Sequence, residues 1–320
     1  MDKGKAKTCF VTGGNGKLGQ RLIKELLAKG FKVKALVKSN DRVVSLPAGV
    51  IPYIGDISDR HVLEDACKNT NYVFHLAAIV SQNKKFTSEI ISVNVEGTRN
   101  ILEAAEKAGA DRFVYPSSID VYGIKRKEML TEESRPKTED RYGYSKLLAE
   151  KEISKFTASL PSTILRLSTI YGTGFEKSFF KVFDAISKGK MYIIGSGKNN
   201  LAIVHENDAA NALLLAAEKT PDRTSEIFNI TDGAMHTQQS LINMAADLLG
   251  VERPMKHLNE FMVKIIAKTR DLDVDELRFL TSNRQVSIDK AKRILGYSPK
   301  VSVEKGGKEL VEEFLKVSKQ

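Results

Sequence analysis

The chain has 320 residues, 42% of them hydrophobic, enough to bury one elaborated domain or two small ones. No run of about 18 apolar residues offers a membrane span, and two cysteines, Cys9 and Cys67, exclude a disulfide framework or a cysteine-rich zinc site. Lysine and arginine outnumber aspartate and glutamate 50 to 40, a net charge of +10, but the basic residues share stretches with acids, as in KELLAKG and LEAAEKAG, so no nucleic-acid partner is expected.

The opening stretch MDKGKAKTCF is polar to Thr8 and lacks the apolar core of a signal peptide, so a cytoplasmic protein is expected. From there to about residue 170, short β-rich runs alternate with amphipathic helical patterns. TCFVT (8–12), KVKALV (32–37), VIPYI (50–54), YVFHLA (72–77), RFVYPS (112–117) and STILRL (162–167) read as strands. LGQRLIKELLAKG and VNVEGTRNILEAAEKAG read as helices, each stopped by a glycine. Such alternation predicts a Rossmann-type α/β fold, a doubly wound parallel sheet. After Tyr171 the pattern turns mostly helical, while LAIVHENDAANALLLAAE and EIFNI return a helix and a strand to the sheet. The expected division is a nucleotide-binding domain of residues 1–174 and 205–233, interleaved with a substrate-binding region of residues 175–204 and 234–320.

Between the first strand and first helix, TGGNGKLG sets Gly13, Gly16 and Gly19 in a G-x-x-G-x-x-G pattern. Glycine there permits a tight turn, lets backbone approach a pyrophosphate, and brings helix close to strand, while the helix N-terminus offers free N–H groups to phosphate. Gly13, Asn15, Gly16, Lys17, Leu18 and Gly19 are therefore expected against a dinucleotide. An NAD-preferring site usually places an acid at the end of the second strand; KALVKSNDR has Lys38 there and Arg42 soon after, cations that suit a 2′-phosphate. NADP(H) is favoured, with NAD(H) as the other option.

YGYSK places Tyr142 and Lys146 four apart, on one helical face. A phenol is a weak acid at neutral pH, and a nearby ammonium favours phenolate, which makes proton transfer practicable. The hydroxyl of Ser118, in VYPSSIDVYG, is suited to hold a substrate oxygen. The five histidines are scattered without ligand spacing, so no metal is expected, and His75 and His205 read as structural hydrogen-bonders. Asp120 and Glu206 read as solvated or capping carboxylates.

Taken together, TGGNGKLG, GDISD, HLAA, NVEGTRN, SSIDVYG, YGYSK and LRLSTIYG resemble the motifs of the extended short-chain dehydrogenase/reductases, the NAD(P)-dependent epimerase/dehydratase superfamily. The resemblance implies that Asp56 bonds the adenine amino group and Ile57 lines its ring. It implies that Leu76, Ala77 and Ala78 run beside the cofactor with Leu167 and Thr169, and that Asn94 is structural. Lys146 would also bind the nicotinamide ribose, with Ser118 and Tyr142 flanking the reacting carbon. A homodimer is implied through helices around 85–108 and 142–158.

The departures narrow the chemistry. Lys17 replaces a bulky residue common in the glycine loop. Ser118, Ile119 and Asp120 stand where nucleotide-sugar dehydratases have Thr-Asp-Glu, and Leu201 stands where many nucleotide-sugar members have a diphosphate-gripping arginine, counted from Asp208. With ALVK and SSI, the chain resembles the 3β-hydroxysteroid dehydrogenase and dihydroflavonol-reductase branch. That implies interconversion of a carbonyl and a secondary alcohol on a small, relatively apolar substrate. FEKSFFKVF (175–183) and NEFMVKIIAK (259–268) fit an apolar pocket, ordinary core or a dimer surface alike. A nucleotide-sugar epimerase or 4-reductase, and a non-catalytic NADP sensor, are the alternatives.

Overall fold

β-Branched and aromatic residues dominate six runs that pair as parallel strands: β1 (Thr8–Thr12), β2 (Lys32–Val37), β3 (Val50–Ile54), β4 (Tyr72–His75), β5 (Arg112–Ser118) and β6 (Ser162–Leu167). A seventh strand, β7 (Glu226–Ile230), returns after a long excursion. The computed structural model describes residues 6–80, 88–259, 262, 263 and 274–318. In it the sheet order is β7-β6-β5-β4-β1-β2-β3, every neighbour parallel. The chain winds outward from β1 to β3, then crosses back to β4, so a crevice opens between the carboxyl ends of β1 and β4. The fourth strand is shorter than its sequence pattern: it ends at His75, and Leu76–Ala78 leave the sheet.

Helices cover both faces. On one side α1 (Lys17–Ala28), α6 (Glu206–Lys219) and α9 (Asp289–Leu295) bury Leu22, Ile23, Leu26, Leu213, Ala291 and Leu295 against Val11, Phe74 and Phe228. On the other, α2 (Arg60–Cys67), α3 (Gly97–Lys107) and α4 (Arg141–Ser154) pack on Phe10, Val73, Phe113 and Tyr115. A separate core gathers α5 (Glu176–Ser187), α7 (Gln238–Leu249) and α10 (Val303–Val317) around Tyr171, Phe183 and Ile203. Ile288–Tyr297 pack into the sheet's core rather than this helical one. The helix α8 (Val274–Thr281) leads into a strand, Asn283–Val286, that pairs with Lys125–Leu130. Most of the stretch 259–268 lies outside the described residues. No helix among the described residues is long and apolar enough to cross a membrane.

Helix α4 differs from its neighbours. Tyr142, Lys146 and Glu150 recur every fourth residue along its inner face, so the face toward the sheet carries ionisable groups. Asp140 caps it, accepting from the Gly143 N–H at 2.6 Å. Glu150 takes a two-pronged contact from Arg166 of β6, Nη2–Oε2 2.7 Å and Nε–Oε1 3.1 Å. Ser117 Oγ donates to Glu150 Oε1, and Arg166 Nη1 donates to Tyr122 Oη at 2.7 Å. Both charges are over nine-tenths buried, with side-chain exposures of 4% and 6%.

Removing one partner of such a pair leaves the other charge buried alone. Glu150→Gln is therefore expected to lower the unfolding free energy by about 3–5 kcal/mol. Glu150→Leu combined with Arg166→Met should lose far less. Urea unfolding of the single and double variants decides this, and an equal loss in both would sink the account.

Candidate active site

The residues singled out in the sequence gather along the carboxyl edge of the sheet. The first glycine loop turns there because Gly13 sits at φ +69°, a conformation that side chains disfavour, and its N-terminal neighbour Thr12 ends β1. A Cβ at Gly13 would stand 2.7 Å from the Ala77 nitrogen, and one at Gly19 would stand 2.2 Å from the Gly13 carbonyl oxygen. These contacts bring the Leu76–Ala78 segment, the loop and the start of α1 into one backbone-walled cradle. Helix α1 begins at Lys17 with no side-chain cap on its N-terminus and no acid in its first turn. The amides there are left for an anion. Lys17 is exposed and Asn15 half-buried, whereas Leu18 packs on the first core. The cradle thus fits a dinucleotide pyrophosphate.

At the far end of the crevice, Lys38 follows β2 and pairs with Asp56 at 3.2 Å, and Arg42 lies 3.6 Å from Asp41. All four are exposed, so the pairs are weak and exchangeable. Ile57 lies buried against Gly97, where a Cβ would come within 2.8 Å of its Cγ2. Leu167 and Thr169 leave β6 beside Ser118, with which Leu167 is in register.

Ser118 closes β5, and Lys146 reaches the same strand end from the helix that carries Tyr142. Ser118 is the last residue of that strand; its Oγ accepts from the Asp120 N–H at 3.1 Å, which leaves its own proton to donate. Lys146 is buried and donates to the Pro116 carbonyl at 2.8 Å, with its Nζ 5.8 Å from the Tyr142 ring centre and 4.5 Å from that of Tyr115. Burial, which spacing alone does not show, acts on both groups. Burial raises the Tyr142 phenol above its ordinary range, and the Asp120 and Asp140 carboxylates push the same way. Burial likewise lowers the Lys146 ammonium to about 7, against a partial restoring pull from Glu150. Largely withdrawn from water, each group prefers its neutral form.

Behind the reacting corner, His75 is a structural hydrogen-bonder between Thr12 and Thr98, 2.7 and 3.0 Å away, and burial lowers it to about 3. His205 caps α6 by accepting from the Asn207 N–H. Asn94 holds both backbone groups of Ile79 and reaches Ser145 Oγ at 3.0 Å. Among the described residues no cluster of acids, histidines or cysteines is fit to hold a metal ion.

Beside this corner lies a cavity of about 320 Å³. Phe175, Phe179, Phe183, Leu241, Ile242 and Leu310 supply its apolar wall, and Asp120 and Thr169 stand at the reacting end. Two arginines that sequence reading passed over, Arg278 and Arg284, also line it. Asp120 is neither solvated nor a cap: Arg284 Nη1 donates to its Oδ1 at 2.6 Å. Arg278 pairs with Asp140 in the same way. No local signal marks these partners, since they lie 138 and 164 residues from their acids. Glu206 is buried too, accepting from Thr173 Oγ1 at 3.0 Å, and burial raises its carboxyl. Leu201 is buried on the cavity wall.

Comparison with known proteins agrees with this layout. The sequence profile of the NAD dependent epimerase/dehydratase family matches residues 9–231. A 4-hydroxy-2-methyl-3-oxo-4-farnesyl-3,4-dihydroquinoline-1-oxide ketoreductase of Stigmatella aurantiaca is 28% identical over 93% of this chain and 93% of its own. A 3-beta-hydroxysteroid dehydrogenase of Mycolicibacterium neoaurum is 28% identical over 92% of this chain and 88% of its own. Among solved structures, MoeE5 in complex with UDP-glucose and NAD is 27% identical, with a TM-score of 0.78 over 98% of this chain and all of its own. A glycine cradle at the β1–α1 turn, a serine closing β5 and a Tyr-x-x-x-Lys helix are thus set in a chain that belongs to the NAD-dependent epimerase/dehydratase family of extended short-chain dehydrogenase/reductase enzymes.

Proposed function

We propose that the chain is an NADP(H)-dependent oxidoreductase that interconverts a carbonyl and a secondary alcohol on an apolar substrate, with Tyr142 as the general acid and base. The observation that carries this reading is the apolar cavity ending at Asp120, the carboxylate that faces Tyr142. Its two arginines are both engaged by carboxylates, so neither charge is left for a substrate diphosphate. The ketoreductase and the hydroxysteroid dehydrogenase among the relatives point to the same class of chemistry.

When bound, the nicotinamide supplies or accepts the hydride. The residues of the chain handle the oxygen and its proton. Ser118, whose Oγ lone pair takes the Asp120 N–H, donates its own proton to the substrate oxygen. Tyr142 stays protonated in its buried setting, which suits a proton donor in carbonyl reduction. Lys146 supplies a buried, readily ionised amine beside it. Lys38 and Arg42, whose present partners are exposed, would turn to a 2′-phosphate, so NADPH is expected to bind more tightly than NADH. A cytoplasmic homodimer joined through the helices around 85–108 and 142–158 completes the reading. The alternative, a nucleotide-sugar epimerase or 4-reductase, draws on the UDP-glucose carried by the solved relative.

The deciding assay follows NADPH and NADH absorbance against steroid, flavonoid and aliphatic ketones, with UDP-glucose as the sugar arm. NADPH consumption with an apolar ketone is expected, and Tyr142→Phe should abolish it while cofactor affinity stays within about twofold. Response to UDP-glucose alone would transfer the reading to the sugar enzymes, and turnover surviving in the variant would remove Tyr142 from its role.

The Lys146 amine carries a stability signature as well. Its folded value of about 7 lies below the ordinary 10.5, so between those values the unfolded chain binds a proton that the folded chain does not. Stability from this group therefore rises with pH across that window, and burying the protonated amine costs most below it. Lys146→Met should be more stable than the parent by the widest margin near pH 6, the gap closing toward pH 10. Parallel urea-unfolding curves across that range would contradict it.

A further inference from the structure

Two carboxylates face Tyr142: Asp120, from the turn after β5, and Asp140, the cap of α4. Each is met by an arginine from the chain's last fifty residues. Arg284, 4% exposed, holds Asp120; Arg278, 18% exposed, holds Asp140, itself 7% exposed. The Asp120 backbone lies tight against the same helix, since a Cβ at Gly143 would come 2.6 Å from its carbonyl oxygen. Asp140 holds the Gly143 N–H. The acids are thus fixed on either side of the first turn of α4 by geometry as well as by charge.

We propose that Arg278 and Arg284 are positioning residues for the reacting phenol, each binding one of the two carboxylates that flank Tyr142 and offsetting part of its charge there. This rests on the reading that Tyr142 moves the proton. Without the arginines, the phenol would face two unopposed negative charges, and phenolate would be disfavoured further. Among the described residues, Lys146 from its own helix and the Tyr115 phenol from β5, both buried, also face Tyr142. Asn94 and Ser145 pack alongside as hydrogen-bonded, uncharged groups. The arginines also stand on the cavity wall, so the segment that shapes the substrate pocket is the one that sets the acidity of the catalytic tyrosine.

Tyr142 replaced by 3,5-difluorotyrosine in the full-length chain gives a ¹⁹F signal whose midpoint of ionisation lies at lower pH than that of tyrosine. Arg284→Gln should weaken that acid roughly tenfold, because Asp120 is left unopposed. Adding Asp120→Asn should return the ionisation constant to within about twofold of the parent, and Arg284→Lys should keep most of it. Arg278→Gln and Arg278→Gln with Asp140→Asn should repeat the pattern, since asparagine still caps the helix. A midpoint unmoved by Arg284→Gln, or a shift that survives Asp120→Asn, would overturn the proposal. If Arg284→Gln does not fold, Asp120→Asn in the otherwise unchanged chain must strengthen the acid, and no change there overturns it equally. The titration uses no substrate, so silence across the carbonyl panel would count against the proposed reaction and not against this assignment.

Discussion

The inner face of α4 governs the site. An ordinary helix packs an apolar stripe on its sheet; this one turns a half-buried phenol, a buried amine and a buried carboxylate inward at four-residue intervals. Each buried polar group must find a partner or pay heavily for its lost water. Lys146 finds the Pro116 carbonyl and Glu150 finds Arg166 and Ser117, and both sets of partners lie at the carboxyl ends of β5 and β6. Glu150 fastens the middle of the helix to the sheet, while Asp140 and Arg278 fasten its start to the C-terminal segment. Tyr142 is held between two anchors, with little freedom to leave the end of β5.

That arrangement makes the electrostatics of the site a matter of exclusion from water more than of opposed charges. The lysine favours its neutral amine, the tyrosine its neutral phenol, and the histidine behind them its neutral imidazole, all by burial first. A neutral imidazole is also what the two threonine contacts of His75 accommodate. A site built from groups near neutrality responds strongly to any charge brought into it. The formal charges that remain beside the phenol, those of Asp120 and Asp140, are matched one for one by arginines.

The sheet was legible because its signal is local. Six strands fall where alternating β-rich runs place them, and the glycine spacing marks the turn whose backbone approach to Ala77 only glycine allows. Tyr142 and Lys146 share a face by helical spacing alone. What the sequence did not disclose were pairings across long stretches of chain. Arg284 and Asp120 meet through a parallel pairing of Lys125–Leu130 with Asn283–Val286, segments too short and too polar to declare themselves as partners. Nothing local to Glu150 marks Arg166 as its partner, which β6 brings beneath it. The setting of Tyr142 was hidden for the same reason: spacing shows the neighbouring lysine but not the burial that acts on both.

Division of labour follows from this topology. The cradle and Ser118 come from strand ends in the first half of the chain, and Tyr142 and Lys146 from the helix fastened to them, so position is set by a rigid sheet. The cavity wall comes from α5, α7, α8 and α10, separate in sequence and packed on their own core. Substitutions at Phe179, Leu241 or Leu310 can therefore remodel the pocket without disturbing Pro116, Ser118 or the Glu150 anchor. Arg278 and Arg284 are the exceptions, because they belong to the wall and grip the acids of the catalytic turn. A chain of this design is free to change the shape of its substrate while those two positions remain tied to its chemistry.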